Sequence, residues 1–242
     1  MPLYMSGCPN IVTIHDLIPI LRPEFCQTDP RRIHRLLENV MTRADRIVTI
    51  SNSVKNDIIT HFGLPSERID VIYQATNVLS ELLDTRFIAK TICPDDSFIH
   101  IGTIERRKNI ARLIRAHSRS RTRRTLVLIG PDGFGAQQEL AALSDHLHPE
   151  RVMRLPWVNR PDILAALSKA RAVVFPSLAE GFGLPIVEAM ALGIPVLTSQ
   201  GGSTEEIAGG AASLVNPLDT NSIAENLIQL DQDETICRNL VA

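Results

Sequence analysis

The segment Ser177–Val196 reads SLAEGFGLPIVEAMALGIPV; it follows the apolar run AVVFPS (172–177) and leads into PVLTS (195–199). Two short apolar runs around a helical pattern make a strand–helix–strand unit, the building block of a parallel sheet. Pro185 suits a first helical turn, where a missing N–H costs nothing, so the helix should begin at Gly183 or Leu184. The N–H groups of Gly183 and Leu184 then point out of the strand ends. With no Cβ at Gly181 or Gly183, an anion as bulky as a diphosphate can approach the backbone, and the helix dipole favours its charge. Glu180 and Glu188 flank this cradle, eight positions apart. Carboxylates beside an anion need other partners, and the hydroxyls of a sugar and a ribose are suitable donors. A turn followed by a helix with an acidic first turn would account for Glu188, but not for Glu180, both glycines and Phe182 together.

Outward from this segment the same rhythm continues. Strands are expected at FIHIG (98–102), TLVLIG (125–130), RVMRLP (151–156), AVVFPS, PVLTS and ASLVN (212–216). Between them the pattern predicts helices over Asn109–His117, Gln137–His146, Asp162–Lys169 and Leu184–Leu192, near Glu205, and from Thr220. Strands this uniformly apolar, separated by helices, imply a parallel sheet covered on both faces. Ligands of such sheets bind beyond the carboxyl ends of the strands, so the loops after Ile101, Ile129, Leu155, Phe175 and Leu197 are the ones to search. Upstream lies a second β-α-β-α-β series: NIVTIHD (10–16), a helix from Arg31, RIVTIS ending at Ser51, a helix over Val54–His61, and IDVIY ending at Tyr73. The irregular stretch up to Asp96 separates the two series and divides the chain into residues 1–96 and 97–242.

The chain has 242 residues, 44% hydrophobic and 21% charged, with a net charge of −2, which gives no general reason to expect nucleic acid as a partner. Four scattered cysteines without a C-x-x-C pair or matching His spacing read as reduced thiols of a cytosolic protein rather than as a metal site. The start MPLYMSGCPN has neither a basic nor an apolar leader region, and no apolar run approaches the roughly 18 residues of a membrane span. The basic segment RSRTRRT (119–125) reads as a solvated helix end, with attraction to anionic lipid as the alternative. Asp231-Gln232-Asp233 has no strand leading into it and reads as surface. Gly130–Gly135, GPDGFG, lacks the order of a dinucleotide fingerprint.

EGFGLPIVE, Glu180–Glu188, resembles the E-x7-E signature of the GT4 family of retaining glycosyltransferases, and the resemblance extends over Ala189–Val196, Ser203–Ala212, IGTIERRKNI (101–110) and TIHDL (13–17). It implies an α/β fold of GT-B type: two Rossmann-like parallel-sheet domains, an acceptor-side one that is incomplete here and a nucleotide-sugar one. By the same resemblance Glu188 would bind the donor ribose, Gly183 and Leu184 the diphosphate, and Glu180 with Phe182 the donor sugar. Lys108 corresponds to the lysine that neutralises the diphosphate; at a helix start its charge opposes the dipole unless an anion sits between them. Gly102 is the strand-end glycine, but Thr103 stands where many members have arginine, so Thr103 would offer a hydroxyl and Arg106 or Arg107 would have to substitute. His15 matches the active-site histidine, which makes His15, Glu180 and Lys108 the catalytic set. Ser51 or Ser53 reads as a helix N-cap, GPDGFG is expected beside the donor, and backbone near Leu155–Val158 beside the base.

The function expected from this resemblance is transfer of a hexose, mannose among the candidates, from a nucleoside diphosphate sugar to a saccharide or lipid-linked acceptor in polysaccharide or lipopolysaccharide synthesis. It needs no metal or other cofactor, since Lys108 and the Gly183 and Leu184 amides would stabilise the leaving diphosphate. The setting would be the cytoplasm or, peripherally, the inner face of the membrane. A catalytically inactive nucleotide-sugar-binding remnant and a sugar-nucleotide epimerase on the same fold are the alternatives; a glycan phosphorylase would want a lysine in a pyridoxal context. The opening strands of the first sheet are expected to precede Met1 and the chain to stop within a helix at Arg238–Ala242, so that nucleotide is bound but sugar is not transferred.

Overall fold

The computed structural model describes residues 7–78, 81, 91–156 and 158–241. The first series forms a parallel three-stranded sheet, β1 (Ile11–Ile14), β2 (Arg46–Thr49) and β3 (Ile69–Val71), in the order β1-β2-β3. Around it lie α1 (Ile18–Leu21), α2 (Pro30–Arg43) and α3 (Asn52–Phe62). Each longer helix has local start and stop signals. Asp29 caps α2 by accepting from the Arg31 amide ahead of Pro30, Ser51 caps α3 by accepting from Val54, and Gly63, at φ 64°, ends α3. Ile14, Leu17, Met41, Ile47, Val54, Ile58 and Ile69 form the buried core here.

The second series forms a six-stranded parallel sheet from β4 (Phe98–Ile101), β5 (Leu126–Ile129), β6 (Val152–Leu155), β7 (Ala172–Phe175), β8 (Val196–Ser199) and β9 (Ser213–Val215). Its order is β6-β5-β4-β7-β8-β9, a doubly wound arrangement that reverses direction between β4 and β7. The helices are α4 (Ile110–Ser120), α5 (Ala136–Leu140), α6 (Arg160–Leu167), α7 (Leu184–Ala191), α8 (Gly202–Ala208), α9 (Thr220–Gln232) and α10 (Glu234–Asn239). Alternate strand residues serve opposite faces: Phe98, Leu126, Leu128 and Val174 pack with α4 and α9, while Ile99, Val127, Val173 and Phe175 pack with α6 and α7. Burial on both faces is what the uninterrupted apolar runs require, each such side chain contributing about 1.5–3 kcal/mol.

Several elements depart from the sequence reading. The helix expected over Gln137–His146 is α-helical only to Leu140 and continues as a 3₁₀ segment, Ala141–Asp145, in which the Ser144 hydroxyl donates to the Ala141 carbonyl. Strand β3 stops at Val71, although the Ile72 amide still bonds to the Thr49 carbonyl. The last helix ends at Asn239. RSRTRRT is not a fully solvated end: Arg119, Arg121 and Arg123 are exposed, but Ser120 and Thr122 are buried and Arg124 pairs with Asp96 and Asp231. The seam expected before Asp96, and the backbone expected to meet a base at Leu155–Val158, fall in part outside the described residues, the latter at Trp157. Among the described residues, no helix is long and apolar enough to cross a membrane.

Candidate functional site

The loops after β4 and β7 meet where the strand order reverses. After β4, Gly102 (φ 148°) leads into a 3₁₀ turn, Arg106–Lys108, and then Asn109 at φ 63°. The Asn109 amide donates to the carbonyls of Pro176 at 2.9 Å and Pro217 at 2.7 Å, which anchors the turn to the end of β7. Lys108 is therefore not on the first turn of α4; its charge faces the neighbouring strand's loop instead of the helix dipole. The segment Gly130–Gly135 lies on the same loop: a Cβ at Gly130 would fall 2.1 Å from the Gly102 carbonyl oxygen, and one at Gly133 would fall 2.4 Å from the Thr103 methyl.

Lys108 is 8% exposed. Its ammonium donates to Glu180 Oε1 at 2.6 Å and lies 4.4 Å from the centre of the Phe175 ring. Arg107 donates to the other Glu180 oxygen at 2.6 Å, to the Ala179 carbonyl at 3.0 Å, and with its remaining arm to Glu105 at 2.6 Å. The result is a half-buried cluster of two cations and two carboxylates. Burial pushes the Glu180 carboxyl upward, but Lys108 and Arg107 outweigh it and hold the group below the usual carboxylate range. Burial likewise lowers Lys108, against the pull of Glu180. Beneath them the buried imidazole of His100 stacks on Phe175, bonds through Nδ1 to the Val174 carbonyl at 2.9 Å, and leaves Nε2 without a partner. Burial depresses it to about 4.

Both glycines of the EGFG loop have reasons within the protein. A Cβ at Gly181 would fall 2.2 Å from the carbonyl oxygen of His15, so the first half's backbone occupies the space that the sequence reading gave to a ligand. Gly183 sits at φ 115°, and a Cβ there would meet Ile186 at 2.9 Å. The loop is fixed from both sides: Ser51 donates to the Gly181 carbonyl at 2.8 Å, and Ser203 donates to the Glu180 carbonyl at 2.6 Å. Phe182 is buried 6.2 Å from the Tyr73 ring, and Leu184 is 38% exposed at the start of α7, where the opening amides have no acceptor within the helix. Glu188 is buried but engaged, accepting from Arg160 at 2.6 Å, and Arg160 also bonds Glu81. His15 has an exposed side chain.

The structure thus brings Gly102, Lys108 and Glu180 into one cluster, with Phe182, Gly183 and Leu184 on the adjoining loop and His15 across the seam. Thr103 packs on Gly133, and Glu188 belongs to a separate ion pair. Several contributors were not singled out from sequence. Glu105 looked like part of an exposed charge run, His100 was hidden in FIHI, and Arg160 carried no signal; Arg107 was named only as a substitute for the missing arginine at the diphosphate, not as a partner of Glu180. Glu206 was another: from α8 its carboxylate accepts from the amides of Asn52 at 2.6 Å and Ser53 at 2.8 Å and from the Tyr73 hydroxyl at 2.9 Å, so one half caps a helix of the other. Ser51, not Ser53, is the cap within α3 itself. Among the described residues, no group of three or more His, Cys, Asp or Glu is placed to hold a metal ion.

The family profile described as "Glycosyl transferases group 1" matches residues 95–233, and that described as "Glycosyltransferase Family 4" matches residues 2–78. The chain is 29% identical over 239 residues to an Escherichia coli protein named O-antigen chain mannosyltransferase B, covering 93% of this chain and 62% of the relative. It is 31% identical over 252 residues to the serotype-specific mannosyltransferase WbdA of Escherichia coli, covering 96% of this chain and 30% of the relative. A solved structure of Anabaena Alr3699/HepE in complex with UDP and glucose superimposes with a TM-score of 0.78 at 24% identity, over 96% of this chain and 66% of that one. The two parallel sheets are those of the GT-B glycosyltransferase fold. The chain spans less than two thirds of the length of these relatives.

Proposed function

Because this chain belongs to the group 1 glycosyl transferases, we propose that it serves a retaining transfer of a hexose, mannose by the names of its relatives, from a nucleoside diphosphate sugar to an acceptor hydroxyl in polysaccharide or lipopolysaccharide synthesis. The observation that carries the reading is the pairing of Lys108 and Arg107 with Glu180 beside the opening amides of α7, at the point where the sheet reverses. Cations and unspent amides at that crevice suit a diphosphate.

In the reaction the acceptor oxygen forms a bond to the anomeric carbon, and the bond from that carbon to the diphosphate oxygen breaks with its electron pair leaving on the nucleoside diphosphate. The acceptor hydroxyl proton leaves with the diphosphate or to solvent. Lys108 and the Gly183 and Leu184 amides meet the charge that develops on the leaving oxygen. Glu188 takes the ribose by exchanging Arg160 for hydroxyl donors, Glu180 and Phe182 lie beside the donor sugar, Gly102 and Thr103 lie below the diphosphate, and His15 faces the transferred sugar from the other half. The donor half corresponds to residues 97–242 and the acceptor half to residues 1–96. The exposed Arg119, Arg121 and Arg123 provide a peripheral contact with anionic lipid at the cytoplasmic face.

The test is a thermal-shift screen of the purified chain against UDP-, GDP-, ADP- and dTDP-sugars, followed by product analysis with a labelled form of whichever donor stabilises it. Stabilisation by one nucleotide class, lost in Lys108→Ala, supports the reading. Indifference to all four overturns it.

A further inference from the structure

Helix α3 begins where the two halves meet, and its opening amides are taken by the other half. The Glu206 carboxylate, on α8, accepts from the Asn52 amide at 2.6 Å and the Ser53 amide at 2.8 Å. It accepts also from the Asn52 side-chain amide at 3.0 Å and the Tyr73 hydroxyl at 2.9 Å. All these donors come from the first half, so the carboxylate is an N-cap supplied in trans. Its neighbour Glu205 serves the start of its own helix instead, accepting from the Gly201 amide. Burial raises the Glu206 carboxyl, but the Asn52 and Ser53 amides, Tyr73 and the Asn52 side chain outweigh it and hold the group below its ordinary 4.5. It therefore meets the positive end of α3 as a full charge.

The same two helices grip the loop that carries Glu180. Ser51, the residue before α3, donates to the Gly181 carbonyl at 2.8 Å, and Ser203, on α8, donates to the Glu180 carbonyl at 2.6 Å. Both serines are buried. Two successive carbonyls are thus held by hydroxyls from opposite halves, and Glu206 ties together the elements that bear those hydroxyls. Packing does not fix this junction by itself: a cavity of about 270 Å³ lies between the two halves here, lined by Ser53, Glu180, Gly202 and Ser203 among others. Hydrogen bonds to an ionised group are stronger and more exacting in geometry than apolar contact around such a space. A slip of α3 against α8 would break the grip on one carbonyl or the other. The backbone from Glu180 to Leu184 would shift with it, and a misplacement of about 1 Å is enough to matter at a binding site.

Resting on the glycosyltransfer reading above, we infer that Glu206 is a positioning residue for the donor loop. By capping α3 from α8 it sets the register in which Ser51 and Ser203 hold the Glu180–Gly181 peptide, and through that peptide it places Lys108 and the Gly183 and Leu184 amides. It acts through the loop and not on the substrate. Tyr73 belongs to the same device, since its hydroxyl is on Glu206 while its ring lies 6.2 Å from that of Phe182.

The experiment is amide hydrogen exchange by NMR on the 242-residue chain, native and as Glu206→Gln, Glu206→Asp and, for comparison, Glu205→Gln, which removes the neighbouring charge without touching the tie. Calorimetric titration of each with UDP, GDP, uridine and guanosine accompanies it. In Glu206→Gln, exchange at Asn52 and Ser53 should rise about tenfold, the loss of one charge-assisted bond, and exchange over Phe182–Leu184 should rise with it. Affinity for the diphosphate that binds should fall about three- to tenfold while that for its nucleoside holds, and Glu206→Asp should lie between native and Glu206→Gln. Glu205→Gln should leave the loop and the affinity as they are. Faster exchange confined to α3, with the loop and the diphosphate affinity unchanged, would make Glu206 a local cap and overturn the inference, as would equal losses for diphosphate and nucleoside. If Glu206→Gln does not fold, Tyr73→Phe removes one donor from the same carboxylate at a half-exposed ring, and an unaltered loop in that variant counts against the inference. Native protein that binds neither diphosphate removes the transferase reading; the loop's exchange in Glu206→Gln then decides the positioning role by itself.

Discussion

Replacing Lys108 with alanine tests the cluster most directly. In the native protein Glu180 is almost fully buried, one oxygen on Lys108 and the other on Arg107, each at 2.6 Å. Removing one member of a buried ion pair costs about 3–5 kcal/mol, because the charge left behind is uncompensated. Arg107 still holds Glu180, which puts the expected loss near the lower end, about 3 kcal/mol. The pH dependence has a definite sign. Glu180 is held below its ordinary 4.5, so its contribution is fully present above pH 4.5 and is lost as pH falls through the native value. Without Lys108 the burial effect is opposed mainly by Arg107, the carboxyl rises, and the gap between native and variant stability should narrow below pH 4.5. Urea unfolding of the native protein, Lys108→Ala, Glu180→Gln and the double variant, at pH 7 and pH 4, measures this. In the Glu180→Gln background Lys108→Ala should cost far less than alone, since the charge it served is gone. A cost under about 1 kcal/mol, or strict additivity, would refute the pairing as an energetic unit. On the functional side, Lys108→Ala should weaken binding of nucleoside diphosphates far more than of monophosphates or nucleosides; equal losses would remove its phosphate role.

Glu188→Ala should weaken ribonucleotides more than their deoxyribose analogues in calorimetric titration, because it leaves ribose hydroxyls without an acceptor. In a version extended to the length of its relatives, His15→Ala should lower the transfer rate while leaving nucleotide affinity within a few-fold, as kinetics beside equilibrium binding would reveal. Gly181→Ala forces a methyl group to 2.2 Å from the His15 carbonyl oxygen and should cost about 1–3 kcal/mol in thermal unfolding, whereas Gly193→Ala, with open space around its Cβ, costs only the strain of its φ of 67°. His100, buried and depressed to about 4 from 6.5, resists a proton that the unfolded chain accepts below pH 6.5. Stability therefore falls by about 1.4 kcal/mol per pH unit from this residue between pH 6.5 and 4, and His100→Leu should flatten that slope in pH-dependent urea melts while lowering stability at pH 7.

The sheets were legible because their signal is local and redundant: FIHI, LVLI, AVVF and VLTS are apolar at every position but His100, Thr198 and Ser199, and both faces are covered. The end of α5 was not, since Ala141–Asp145 has acceptable helix propensity and only the tighter backbone around Ser144 distinguishes it. The EGFG loop was located correctly, but the reason for its glycines was not. Gly181 is small because His15 comes against it from 166 positions earlier, and no local pattern encodes that approach. The same limit hid Arg160 and the partner of Arg107. A cation in ERRK or NRPD looks solvated until the fold brings Glu180 or Glu188 to it.

These pairings change how a donor must bind. Glu105, Arg107, Lys108 and Glu180 sum to zero charge, so the cluster has no surplus cation waiting for a diphosphate. On the proposed reading, affinity must come from donors that the protein has not spent. Lys108 has three N–H donors, and its bond to Glu180 uses one. The opening amides of α7 add to these, while Glu188 must give up Arg160 to reach a ribose. The diphosphate would then share Lys108 with Glu180 rather than replace it, and the carboxylate's position would be held by the phosphate-bearing state as well as by the empty one. Glu180 also lines the cavity between the two halves. On that reading a donor that tightens Lys108 also fixes one wall of this cavity, which gives the donor and any ligand held there a physical route to favour one another's binding through a single buried ion pair.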